Sequence, residues 1–228
     1  MRPAQEIARR YAEVRERVAS AAKRSHREPS GVTLVLASKT QLSDAIAAAY
    51  AAGARDFGEN YVQEALGKQE ALRALNIRWH LIGHLQTNKA KVAASAFELI
   101  HSVDSIRVAE ALTRARPAPP VRALIEVNLG GEASKSGAAP ESVEALIDSE
   151  RGKIDIAGLM TIPPPGENPG ASRRYFAELR AMGERLAART GLALSELSMG
   201  MTDDFEIAIE EGATIVRVGR AVFGERQR

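Results

Sequence analysis

Lys39 closes a short apolar run, Val32-Thr33-Leu34-Val35-Leu36-Ala37-Ser38-Lys39, and is followed at once by Thr40. The run is short, rich in branched residues and preceded by Pro29 and Gly31, the pattern of a buried strand. A lysine at the carboxyl end of such a strand stands where α/β proteins place their chemistry. Only seven of the 31 basic residues are lysines, and most of the others fall on helical or loop stretches. A partly buried ammonium loses hydration, so its pKa falls and the neutral amine can attack a carbonyl. That is the requirement for a Schiff-base lysine.

The other strand ends supply companions. Strand two ends in Gly58-Glu59-Asn60, strand three carries His80 and runs into Gly83-His84-Leu85-Gln86, and strand six ends in Met160-Thr161. Strand seven gives Ser198-Met199-Gly200-Met201-Thr202, and strand eight gives Arg217-Val218-Gly219-Arg220. The strand-seven segment reads as an anion cradle, because small residues allow close backbone approach and a helix beginning next would present free N–H groups. Asp203 and Asp204 would repel that anion, and the competing reading is that Thr202 or Asp203 caps the helix. Arg217 alternates with Ile215 and Gly219, so the three share one strand face. If that face points inward, the guanidinium needs an acceptor, and Glu126 is the candidate partner of a purely structural arginine.

A lysine, an anion cradle and a buried arginine together meet the needs of pyridoxal 5′-phosphate (PLP): an amine for its aldehyde, donors for its phosphate, and a partner for its ring nitrogen. Each part alone has a plainer reading, as an ion pair, a turn or a structural arginine. His80 and His84 have i, i+4 spacing, but on a strand running into a loop and without an acidic ligand motif, so no metal site is expected. The segment Gly130 to Gly137 lacks the Gly-Lys-Ser/Thr ending of a P-loop and reads as a flexible surface loop. Glu206, Glu210 and Glu211 read as a solvated helix face.

Composition narrows the function classes. The formal net charge is +2, the sequence pI about 9, and aromatics are 4%, with no basic patch interleaved with stacking residues. Nucleic acid is therefore not expected as a partner. The absence of cysteine excludes disulfides, thiolate metal sites and thiol nucleophiles. No apolar stretch approaches membrane-spanning length, and residues 1–27 form a charged amphipathic helix pattern rather than a signal peptide, so a cytoplasmic location is expected.

The elements that must position these residues alternate strand and helix. Strands are expected at 32–39, 56–59, 78–83, 99–103, 121–128, 154–161, 194–199 and 214–218. Helices follow at 42–52, 61–75, 88–96, 105–114, 140–149, 171–190 and 203–211. Alternation implies a parallel sheet, and eight units imply a closed (β/α)8 barrel. The chain is expected to be one domain, 1–228, with a leading helix over 1–28 and the barrel over 32–224.

With these segments in view, the sequence resembles the YggS/PROSC family of pyridoxal phosphate homeostasis proteins, which is similar to the barrel domain of alanine racemase. The matching segments are Ala37–Thr40, Phe57–Glu64, Trp79–Lys89, Ser102–Ser105, Val127-Asn128 and Ser134–Gly137, then Gly158–Pro163, Leu197–Asp204 and Val216–Gly224. They run in order from 37 to 224. Gln41-Leu42 stands where the family commonly has Lys-Pro, and Thr202 where it commonly has Ser. The resemblance implies that Lys39 forms the Schiff base and that Arg217 faces the pyridine nitrogen. It implies phosphate contacts from Ser198 and the backbone around Gly219 and Arg220, with Asn60, His80 and Met160 lining the cofactor. Met199 and Gly200 complete the expected cofactor-binding set through the cradle.

Racemisation needs acid/base groups on both faces of the substrate Cα. Lys39 supplies one. The related racemases take the other from a tyrosine on a second domain of the partner chain. No such domain is expected here, and Tyr11, Tyr50, Tyr61 and Tyr175 all read as helical. Arginine is also too basic to protonate the ring nitrogen, which weakens the ring as an electron sink. The expectation is a PLP-buffering or delivery protein without robust catalysis. Apo PLP-dependent enzymes would be its recipients, and the chain would be a monomer or weak dimer. The alternatives are a low-activity amino-acid racemase and an interaction protein that has lost the cofactor.

Overall fold

The computed structural model describes residues 3–115, 118–132, 135–165 and 168–225. Eight strands alternate with helices along them: β1 (Thr33–Ala37), β2 (Asp56–Glu59), β3 (Arg78–Leu81), β4 (Leu99–Val103), β5 (Arg122–Glu126), β6 (Asp155–Met160), β7 (Glu196–Ser198) and β8 (Ile215–Val218). Each pairs parallel with the next, and β8 returns to β1, closing the barrel. The helices are α1 (Pro3–Arg24), α2 (Ser43–Ala51), α3 (Val62–Ala71), α4 (Ala90–Ala96), α5 (Ile106–Ala115), α6 (Val143–Glu150), α7 (Arg173–Thr190), α8 (Phe205–Glu210) and α9 (Arg220–Phe223).

The expected (β/α)8 barrel with an N-terminal helix is what forms. Helix α1 buries Tyr11, Val14, Val18, Ala21 and Ala22, a three-and-four spacing that makes one apolar stripe. That stripe packs on α2, α8 and α9. Arg17 and Arg24 of α1 reach Glu206 and Glu210 of α8, while Arg173 and Arg180 of α7 reach Glu211. The glutamates expected as a solvated face are therefore partners of two neighbouring helices.

Alternation along the strands divides the buried side chains in two. One set faces the helices. The other fills the barrel interior, where Val35, Leu99, Leu124, Met160 and Ile215 form a separate apolar cluster. Arg217 pairs in register with Val35, and Ser198 with Ile215 and Met160, so the polar side chains sit among that inner layer. Gly58 lets Ile82 and Val35 pack onto the strand backbone: a Cβ there would lie 2.9 Å from Ile82 Cδ1 and 3.0 Å from Val35 Cγ1.

Three details differ from the sequence reading. Strand β1 stops at Ala37, so Lys39 lies beyond the strand, in a turn. Tyr61 precedes α3 instead of lying within it. A short helix, α9, follows β8 where none is expected from periodicity, because four residues carry no period. Ser134 of the matched segment 134–137 lies outside the described residues.

Candidate functional site

A cavity of about 710 Å³ opens at the carboxyl ends of β1, β2, β7 and β8. That volume falls in the range of small-molecule sites. Lys39, Asn60, Thr202, Arg217, Gly219 and Arg220 all contribute to its wall.

Lys39 is presented by a turn that Gln41 N–H closes onto the Ser38 carbonyl at 3.0 Å. Thr40 sits at φ 66°, in the left-handed region that non-glycine residues seldom adopt and that turns at functional sites often require. A buried cluster holds the turn on both sides of Lys39. Lys68 Nζ donates to the Ser38 carbonyl at 2.7 Å, to Glu59 Oε1 at 2.8 Å and to Glu64 Oε1 at 2.7 Å. The Ser38 hydroxyl donates to Glu59, and Glu64 accepts the Thr40 N–H at 2.6 Å. All three ammonium protons of Lys68 are thus used. Burial pushes the Glu59 carboxyl above its ordinary value, against the opposing pull of Lys68 and Ser38.

Arg217 lies inside the barrel and is 4% exposed. Its acceptors are the Ser198 hydroxyl and, at 3.0 Å, the Thr161 carbonyl. Neither is the Glu126 carboxylate that a structural arginine was expected to use; Glu126 acts on Arg217 only through its field. Burial pulls the guanidinium down to about 10, opposed by Glu126 and Asp204. It therefore remains a cation at neutral pH. Glu126 in turn is pushed up to about 7, by burial first and then by Asp104, with Arg217 opposing.

The remaining expected residues divide by depth. Asn60 is at the mouth, and its backbone lies so close to β3 that a Cβ at Gly83 would sit 2.4 Å from the Asn60 carbonyl oxygen. Gly219 is wedged against β1, where an added Cβ would lie 3.0 Å from the Ala37 oxygen. Met160 is fully buried in the inner apolar layer. Met199 is buried in the larger core cluster, and its N–H is spent on the Ile215 carbonyl at 3.1 Å. Gly200, at φ 89°, accepts the Arg217 N–H with its carbonyl at 3.0 Å.

Ser198 has no exposed surface, and its hydroxyl is taken by Arg217 and, at 2.8 Å, by His101. The side chain expected to touch phosphate is thus engaged beneath the cavity. His80 is likewise below the floor, between Asp56 and His101. Among the described residues, no side-chain cap hydrogen bond starts α8. Asp204 is the residue before α8, and its carboxylate takes the Met201 N–H at 2.7 Å, while Asp203 pairs with Arg220. Neither Thr202 nor Asp203 caps the helix, and Thr202 lines the cavity instead.

Sequence reasoning missed Lys68 and His101. Lys68 follows Glu64 by four residues on a helix, a spacing that signals an ion pair. His101 is the third residue of a fully buried strand, on the same face as Leu99. Among the described residues, no group of three or more His, Cys, Asp or Glu could hold a metal ion, and no helix is long and apolar enough to cross a membrane.

The model of the alanine racemase N-terminal domain matches residues 6–227. The pyridoxal phosphate homeostasis proteins of Pseudomonas aeruginosa and Aquifex aeolicus are each 46% identical to this chain. The first match covers 96% of both chains, and the second covers 96% of this chain and 97% of its relative. PipY of Synechococcus elongatus PCC7942, in a structure with PLP bound, superposes with a TM-score of 0.81 at 40% identity, covering 92% of this chain and all of PipY. On the length and identity of these matches, the chain belongs to the family of pyridoxal phosphate homeostasis proteins, built on the alanine racemase N-terminal domain.

Proposed function

We propose that this chain binds PLP as a Schiff base on Lys39 and serves PLP homeostasis by buffering or delivering the cofactor, without robust catalysis. The observation that carries the reading is that Lys39 and the buried, cationic Arg217 line one cavity of cofactor size. Bound there, PLP supplies an aldehyde that an amine can capture and, for amino-acid substrates, an electron sink. Lys39 provides the amine, held by the cluster around Lys68. Arg217 would donate a hydrogen bond to the ring nitrogen and, as a guanidinium, is too basic to transfer its proton to it. The phosphate falls to Thr202 and to backbone N–H groups near Gly219 and Arg220, where the lack of a Cβ at Gly219 permits close approach. Asn60 forms the side wall. Ser198, His80 and Met160 act from below, as supports of the floor.

The carrier reading draws support from the open mouth. Leu42 and Tyr61, on the loops after β1 and β2, are 79% and 66% exposed. A site left open to water and to competing amines suits reversible loading. Tyr61, next in sequence to the cavity-lining Asn60, is the residue that would favour a weak racemase, as the second acid/base group.

The test is an absorption spectrum before and after borohydride reduction, with peptide mapping. Reduction should fix the cofactor to Lys39. A chain that stays colourless in excess PLP would overturn the assignment. Deuterium exchange at the α-carbon of added amino acids separates the two activities: turnover that vanishes in Lys39→Ala would replace the carrier with a racemase.

A further inference from the structure

The polar side chains under Arg217 join into one chain across the barrel interior. Arg217 donates to Ser198 Oγ, which lies 2.8 Å from His101 Nδ1. His101 Nε2 is 3.0 Å from His80 Nδ1, and His80 Nε2 is 3.1 Å from Asp56 Oδ1. Arg78 Nε closes the far end on the same Asp56 oxygen at 2.7 Å. Every member from Asp56 to Arg217 is buried.

The two ends have fixed roles, and with both rings neutral the carboxylate end sets every hydrogen between them. A guanidinium only donates, and a carboxylate only accepts. From the Asp56 end, His80 must carry its hydrogen on Nε2, which leaves Nδ1 as the acceptor. His101 then carries its hydrogen on Nε2 and donates to His80 Nδ1. At the Arg217 end, Ser198 Oγ accepts from the guanidinium and has its own hydrogen to give to His101 Nδ1. The two ends are thus compatible, with one donor facing one acceptor at the histidine pair. Burial first, then His80 and Arg217, hold His101 well below the usual imidazole range, consistent with a neutral ring.

We propose that His101, backed by His80 and Asp56, is a positioning residue for Arg217: the chain fixes the Ser198 hydroxyl as an acceptor for the guanidinium, and so fixes which N–H groups face the cavity. The inference rests on the role of Arg217 proposed above. A His101 with its hydrogen on Nδ1 would aim a second donor at Ser198 and leave the serine hydrogen without its acceptor. Residues that orient metal ligands matter about tenfold or more to affinity, and the same leverage is expected of a residue that orients a ligand-binding guanidinium.

The chain has four histidines, so their ring nitrogens can be resolved in the full-length protein labelled with 15N-histidine. Long-range proton–nitrogen spectra should place the hydrogen on Nε2 in both His80 and His101. A hydrogen on Nδ1 of His101, or on both its nitrogens, overturns the proposal. Ser198→Ala and His101→Phe should each weaken PLP binding about tenfold and shift the visible band of the bound cofactor, while reduction still labels Lys39. The double variant should lose no more than either single one, because both cut one link. Wild-type affinity and spectrum in folded Ser198→Ala would sink the idea, and that variant removes a single oxygen, so it serves even if His101→Phe does not fold. A wild-type chain that binds no PLP overturns the function proposed above and the role of Arg217 with it; the tautomers are read without cofactor and judge the chain's polarity separately.

Discussion

Lys68 Nζ donates to the carbonyl of Ser38 at 2.7 Å, so a lysine on α3 holds the residue immediately before Lys39. The same ammonium pairs with Glu59, whose side chain is wholly buried and whose Oε2 has no partner. Breaking a buried pair from one side strands the other charge, which costs about 3–5 kcal/mol. Lys68→Met should therefore lower unfolding stability by about that amount, measured in urea at neutral pH. Lys68→Met with Glu59→Gln should recover much of the loss, because the wholly buried carboxylate is no longer stranded and Glu64 is partly exposed. Lys39 in the double variant should still react more slowly with PLP than in the wild type, since the Ser38 carbonyl has lost its anchor. Equal rates would show that the turn holds itself.

Glu126 predicts a pH dependence. Its folded-state value of about 7 lies above that of an unfolded glutamate, so the folded chain holds a proton that the unfolded chain releases. Its stability contribution is favourable at low pH and is lost as pH rises through the window from the ordinary glutamate value to about 7. Converted at 1.36 kcal/mol per pH unit, the charged side chain costs at most ~3.5 kcal/mol above that window. Glu126→Gln should thus gain on the wild type at pH 8.5 and lose that advantage near pH 4.5, in urea titrations of the cofactor-free protein. A difference independent of pH would mean that Glu126 does not carry the charge assigned to it.

The sequence made the two ends of the site legible and hid what holds them. Arg217 could be placed by counting twos along β8, and Lys39 by the apolar run before it, because each signal is local. Lys68 and His101 act on residues 30 and 97 positions away in the chain, and no local pattern encodes such distances. His101 also sits in a strand buried at every position, where alternation is erased. The expected phosphate role of Ser198 illustrates the same limit. Its position at a strand end was right, but the direction of one hydroxyl depends on which donors and acceptors the neighbouring strands bring.

Gly83 ties β3 to the segment that carries Asn60. A methyl group there would overlap the Asn60 backbone, which cannot swing aside as a flexible side chain would. Gly83→Ala should cost about 1–3 kcal/mol as an overpacking change and weaken PLP binding by displacing Asn60. Unchanged affinity in a destabilised variant would remove Asn60 from the site wall.

Gly219 offers the cleanest separation of binding from folding. Its added Cβ would come 3.0 Å from the Ala37 oxygen and 3.3 Å from the Ala37 Cβ, a tight contact that a shift of a few tenths of an ångström relieves. That shift would occur at the joint between β8 and the strand leading to Lys39. A Cβ would also stand where backbone is proposed to meet phosphate. Gly219→Ala should therefore keep most of its stability, losing about 1 kcal/mol, yet bind PLP at least tenfold more weakly, a loss of ~1.4 kcal/mol. Gly31→Ala, where an added Cβ meets nothing within 4 Å, is the matched control and should bind as the wild type does. If Gly219→Ala binds equally well, the phosphate is held elsewhere, and Thr202→Val becomes the deciding substitution.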